Sequence, residues 1–236
     1  MPHLNLEAQS APFLRYLERW LAQLPVVNLK DIAPEPRQAA IVSVDVINGF
    51  CISGPLASER VGRIVEPIAA LFQRAWDYGI RHILLTQDSH EPDAVEFSAW
   101  PPHCIRGTAE AEPVDAFKRL PFFNQMLILE KNSISSGLNT GLNDWLAQHP
   151  EVNTFIVVGD CTDLCTYQLA MHLRLDANAR QLQRRVIVPV DGVETYDRPV
   201  EVAEKEGGFP HPGDLLHAIF LYHMALNGIE VVEKIV

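Results

Sequence analysis

Cysteine, basic charge and long apolar runs are all scarce in this chain. Four cysteines in 236 residues are too few for a disulfide scaffold. They read as free thiols of a reducing compartment, some of them available for chemistry. Lys and Arg number 19 against 30 Asp and Glu, a formal net charge of −11. That balance repels phosphate backbones and anionic membrane surfaces and argues against general nucleic-acid binding. No apolar run approaches the roughly 20 residues that span a bilayer. The opening MPHLNLEAQS has neither the basic nor the apolar stretch of a secretory signal, so a cytoplasmic location is expected. Internal repeats and low-complexity tracts are also lacking. What remains, 47% hydrophobic and 21% charged, is the make-up of a globular enzyme with one large domain.

Residues 1–38 read as an N-terminal helical extension and linker, and 39–236 as the main domain. Phe13, Leu14, Leu17, Leu21 and Leu24 carry the spacing of an amphipathic helix over 10–24, with Ser10 as N-cap and Pro12 in its first turn. LKDIAPEPRQ reads as extended, because Pro34 and Pro36 disfavour helix before them. AAIVSVDV, RHILLTQD, QMLILEK, NTFIVVGD, RRVIVPVD and IEVVEKIV are near-continuous apolar runs, the mark of strands buried on both faces. Helices are expected between most of them: 58–78 with a kink at Pro67 and a stop at Gly79, LNDWLAQH, a helix opening in TDLCTYQ, and 213–227. Ser89 to about Pro121 reads as irregular. Alternating strands and helices predict an α/β three-layer sandwich: a central, mostly parallel sheet with helices on both faces.

Ligands of such sheets bind beyond the carboxyl ends of the strands. Asp45, Asp88, Lys131 and the Asp160–Cys161 pair all fall there. Asp45 suits a general base or the partner of a nucleophile, and Lys131 suits the positive charge beside it. Cys165, in GDCTDLC, falls in the first turn of a helix that Thr162 or Asp163 can cap. Free N–H groups and the helix dipole there favour a thiolate and can also hold an oxyanion. Asp88 and His90, as D-x-H after a strand, with Glu96 and His103 on the same segment, offer mixed carboxylate and imidazole ligands for Zn, Mn or Fe. His211, His217 and His223 show no ligand spacing and read as helix and loop residues.

In order along the chain, VDVINGFC, QDSH, WPPHC followed by GT, and GDCTDLC resemble the motifs of the isochorismatase-like cysteine hydrolases, and within them the nicotinamidases. The resemblance covers about 38–236, and HPGDLLHAIFLY looks like the tail of the plant-type enzymes. It implies a catalytic triad of Asp45, Lys131 and Cys165, and a single divalent metal on Asp88, His90, Glu96 and His103. It also implies that Phe50 and Trp100 sandwich a pyridine ring, that Cys161 and Cys165 donate oxyanion-hole N–H groups, and that the peptide entering Cys161 is cis. The activity so implied is hydrolysis of nicotinamide through a cysteine thioester, as a step of NAD salvage. A small-molecule amide would be the partner, in a homo-oligomer, with no nucleic acid and no membrane. Asp160 stands where many members carry an apolar residue, and Leu138 and Leu164 stand where some nicotinamidases place Tyr and His. These departures leave room for another small amide as substrate. A hydrolase using metal-bound water and a non-catalytic sensor are the readings from other classes.

Overall fold

The structure is a computed structural model, and it describes residues 5–236. Among the described residues nine strands occur: β1 (Val26–Val27), β2 (Ala39–Val44), β3 (His82–Asp88), β4 (Leu127–Lys131), β5 (Thr154–Asp160), β6 (Arg185–Pro189), β7 (Val193–Glu194), β8 (Glu230–Val232) and β9 (Lys234–Ile235). The central sheet runs in the order β4-β3-β2-β5-β6-β8, with β7 added to β5, and every pairing is parallel.

The strands are apolar throughout because both faces are covered. Ile41, Ile83, Leu85, Ile156 and Val158 pack on one face beneath Ile68, Phe72 and Ala75 of the Val65–Tyr78 helix. Their neighbours Val42, Val44, Leu84, Phe155 and Val157 pack on the other face against Leu169, Leu173, Leu221 and Met224. Those last four belong to the helices Cys165–Arg180 and Gly213–Leu226. Period-2 alternation of side chains across each strand sorts one run into two cores. The expected three-layer arrangement is therefore the one observed.

The chain passes from β2 to β3 and β4 on one side, then crosses to β5 on the other side of β2. That reversal falls at the carboxyl end of β2, where Asp45 stands, the position at which sheets of this kind bind ligands. Gly159 makes the closeness of β2 and β5 possible: its φ is +118°, and a Cβ there would lie 2.0 Å from the Val44 carbonyl oxygen.

Several local expectations are corrected. The first helix runs Leu6–Leu21, with Asn5 accepting from the Ala8 N–H. Ser10 and Pro12 are therefore inside it rather than at its start. The segment expected to be extended holds a helical turn, Leu29–Ile32, and a 3-10 turn, Pro36–Gln38. Burial of Leu29 and Ile32 outweighs the local proline effect. Pro67 kinks nothing, since the break precedes it: one helix ends at Gly62, and the next begins at Val65. Pro67 then lies in a first turn, where its missing N–H is no loss. Gly79 ends that helix in the left-handed region, as expected. The last strand is divided at Glu233, and its second half, β9, pairs with β1 instead of the central sheet.

Candidate active site

Four strand ends build the site. Asp45 follows β2 with φ +57°, a left-handed conformation that Asp tolerates better than most residues. Its Oδ1 accepts the Asp88 N–H at 2.8 Å, and its Oδ2 lies 2.8 Å from Lys131 Nζ. Lys131 closes β4 in register with Asp88, which closes β3, and its ammonium donates to Asp88 Oδ1. The same nitrogen lies 3.7 Å from Cys165 Sγ. Ligand atoms of Asp45, Asp88 and Cys165 all fall within 4.8 Å of one another. Asp45, Asp88 and Lys131 are each at most 2% exposed.

Burial and charge set the protonation states. Burial, with the Asp88 charge added, raises the Asp45 carboxyl to about 6, against the pull of Lys131. Burial would neutralise Lys131, but the Asp45 and Asp88 carboxylates overcome it and keep the ammonium. Burial also pushes Asp88 up, but the Lys131 ammonium holds it well below the usual carboxylate range. The expected depression of the Cys165 thiol is not found. Cys165 does open its helix, at the first residue, but burial raises it well above the ordinary thiol, and Asp45 and Asp88 add to that against Lys131. The resting group is a thiol beside a carboxylate able to take its proton.

Neither expected cap serves the Cys165 helix. Leu164 is its N-cap residue, without a side-chain bond. Thr162 bonds His217 and Asp163 bonds Thr195 and His211 instead. Among the described residues, the Cys161 and Cys165 N–H groups donate to no protein acceptor. The Asp160–Cys161 peptide is cis. Burial, reinforced by the Asp45 charge, raises the Asp160 carboxyl well above its usual value. That shift favours the protonated carboxyl and so weakens the negative charge beside the thiol.

The metal candidates divide. Asp88, His90 and His103 bring one ligand atom each within 4.8 Å of one another, all buried. His90 Nδ1 lies 2.9 Å from Asn132 Oδ1, and His103 Nδ1 lies 2.8 Å from the Pro101 carbonyl. Since these oxygens accept, each ring carries its proton on Nδ1 and turns an Nε2 lone pair inward. Those Nε2 atoms lie 3.5 and 3.8 Å from Asp88 Oδ2, and the buried His90 Nε2 has no hydrogen-bond partner. This donor set fits a divalent transition metal with coordination positions left open. Glu96 is not in the group: it lies on the half-exposed 3-10 turn Val95–Ser98. Phe97 of that turn packs against His90 and His103, with ring centroids 5.4 and 5.6 Å away. Sequence reading missed Phe97 and Asn132, since only the folded loop brings them to the imidazoles.

Phe50 meets the His103 ring edge-on at 5.6 Å, beside the ligand group. Trp100 is half-buried on the same loop as His103 and stacks on no other ring among the described residues.

Comparison with known proteins finds relatives of this fold and sequence. The isochorismatase domain family matches residues 39–207. Nicotinamidase 1 of Arabidopsis thaliana is 34% identical over 216 residues, covering 83% of this chain and 85% of its own. Among solved structures, N-carbamoylsarcosine amidase from Thermoplasma acidophilum superposes with a TM-score of 0.61 at 25% identity, covering 83% of this chain and 95% of its own. A pyrazinamidase of Pyrococcus horikoshii, solved in complex with zinc, gives 0.63 at 23% identity, covering 83% and 99%. The chain belongs to the isochorismatase-like hydrolase family.

Proposed function

We propose that the protein hydrolyses nicotinamide to nicotinate and ammonia. The observation that carries this reading is the single buried cluster in which Asp45, Lys131 and Cys165 adjoin Asp88, His90 and His103. Likeness to the plant nicotinamidase supports the choice of amide.

Cys165 Sγ attacks the amide carbonyl as Asp45 takes the thiol proton. The N–H groups of Cys161 and Cys165 receive the oxyanion. Asp45 returns the proton to the departing nitrogen, and ammonia leaves a Cys165 thioester. Asp45 then deprotonates a water molecule, which attacks the thioester carbonyl and releases the carboxylic acid and the thiol. Lys131 keeps its charge throughout and holds Asp45 in line. Asp88, His90 and His103 would hold the metal, which would supply a Lewis-acidic partner for the pyridine nitrogen, while Phe50 and Trp100 hold the ring. A metal-water hydrolase or a sensor would have no need of this triad.

A second reading, another small amide, is favoured by apolar Leu138 and Leu164, with Leu138 66% exposed, and by the likeness to N-carbamoylsarcosine amidase. Ammonia release from nicotinamide, pyrazinamide, benzamide, N-carbamoylsarcosine and aliphatic amides separates the two. Preference for the pyridine and pyrazine carboxamides over benzamide is expected. Equal kcat/KM on nicotinamide and benzamide, or turnover of aliphatic amides alone, would replace the first reading with the second.

A further inference from the structure

The turn between Cys161 and Cys165 is held in part by residues beyond the stretch that the family model covers. Asp163 is 8% exposed and His211 is 7% exposed. Asp163 Oδ1 accepts from Thr195 Oγ1 at 2.6 Å, and its Oδ2 lies 2.8 Å from His211 Nε2. His211 Nδ1 lies 2.8 Å from the Tyr196 carbonyl oxygen. A carbonyl can only accept, so Nδ1 donates. The other ring nitrogen faces a carboxylate, so it donates too, and the ring is an imidazolium. The ring also stacks on Tyr196, with centroids 3.8 Å apart. Its backbone exchanges two 2.8 Å hydrogen bonds with Arg198. The charges agree with this: burial opposes the imidazolium, but Asp163 raises His211, and His211 with Thr195 lowers Asp163.

Thr162 is tied to the same region. Its N–H donates to the Glu194 carbonyl at 2.9 Å, and its hydroxyl lies 2.8 Å from His217 Nδ1. Arg60 braces the far side through the Glu194 carboxylate and the Thr195 carbonyl. The family model stops at residue 207, so His211 and His217 lie beyond it. Their HPGDLLH motif has no role in the triad or the metal group.

We propose that His211 and Asp163 form a clamp that positions the Cys161–Cys165 turn, so that its N–H groups meet the developing oxyanion. His211 and Asp163 are positioning residues in this scheme and touch no reacting atom. The catalytic half of the inference rests on the thioester mechanism above. The clamp itself does not.

The test uses the full chain with His211→Gln, His211→Ala, Asp163→Asn and the Gln/Asn double variant, assayed well below their unfolding temperatures. On the best amide substrate, His211→Ala should lower kcat about 10- to 100-fold, the scale of a misplaced catalytic group, with KM within about threefold. His211→Gln, which keeps one donor toward Asp163, should recover part of that loss. The double variant should be little worse than the worse single one, because the two residues act as a unit. Alkylation of Cys165 by iodoacetamide, which builds no oxyanion, should keep its wild-type rate in His211→Gln. Amide hydrogen exchange should accelerate at 161–166 in His211→Gln and stay unchanged in β2 and β5. Unchanged exchange at the turn overturns the clamp even if no amide proves to be a substrate. A rise in KM with kcat intact, or equal slowing of alkylation and hydrolysis, overturns its catalytic role. Wild-type inactivity on every amide would instead refute the amidase reading, leaving the exchange result to decide the clamp.

Discussion

Asp45 and Cys165 decide the chemistry as a pair, because each is buried enough to disturb the other. Cys165→Ala should fold and retain less than about a thousandth of the wild-type kcat, since loss of a nucleophile removes the covalent route. Cys161→Ala, which keeps its backbone N–H, should retain much more. Steady-state kinetics on both variants checks this, and more than about a tenth of kcat in Cys165→Ala, a barrier change under ~1.4 kcal/mol, would refute the covalent route. The pH profile follows from the Asp45 carboxyl, raised to about 6. The base must be ionised to take the thiol proton, so kcat/KM should fall about tenfold per pH unit below that value. A profile flat down to pH 4 would contradict the assignment. Strand-end logic pointed to Asp45 and Lys131, the helix-opening position in GDCTDLC pointed to Cys165, and the structure brings the three side chains together. The sequence could not show Asp88 serving both Lys131 and the imidazoles, because that depends on the β3–β4 register. Nor could it show the raised Cys165 thiol, because full burial of a first-turn residue is a tertiary effect.

Segments between strands carry the metal group and the clamp, and here the sequence was less legible. D-x-H located Asp88 and His90, and His103 followed on the same loop. Glu96 seemed equivalent by spacing alone, but its 3-10 turn leaves it outside the ligand group and gives Phe97 to the imidazoles. Metal analysis of protein purified without chelator should give about one ion per chain, and His90→Ala should abolish it. Asn132→Ala, which removes the partner of His90 Nδ1, should weaken metal affinity about 10- to 100-fold without removing a ligand. Full metal content in His90→Ala would refute the site.

The Asp163–His211 pair also predicts a pH-dependent stability. His211 is raised from 6.5, so its contribution is complete below that value and is lost as pH rises through its folded pKa. Asp163 is lowered from 3.8, so its contribution is complete above that value and is lost as pH falls through its folded pKa. The Tm gap between wild type and the Asp163→Asn/His211→Gln variant should therefore be widest between about pH 4 and 6.5 and narrow on both sides. A gap independent of pH would contradict the charged pair.

Across the whole molecule, the parallel sheet followed directly from the apolar runs, and the layers came out as expected. Residues 1–38, read as a helical extension and an extended linker, hold two short helical turns where the linker was expected. Partners distant in sequence decide that region: β1 pairs with β9 near the C-terminus. Phe13, Tyr16 and Trp20 surround Tyr222 with ring centroids 5.4, 5.8 and 5.4 Å away. Each such contact is worth about 0.5–1.5 kcal/mol beyond buried area. Phe13→Ala/Trp20→Ala should therefore lower Tm by several degrees and leave kcat/KM within about twofold. An unchanged Tm would show that the first helix is not part of the fold.

The central claim is that a pyridine carboxamide is cleaved through a thioester on Cys165, and trapping that thioester tests it most directly. Wild-type protein mixed with excess nicotinamide, quenched in acid within milliseconds and digested, should yield a Cys165 peptide heavier by one pyridine-carbonyl group. The adduct should be sensitive to hydroxylamine and absent from Cys165→Ala. Ammonia released at full rate with no adduct on Cys165 at any quench time, or an adduct on another side chain, would contradict the account.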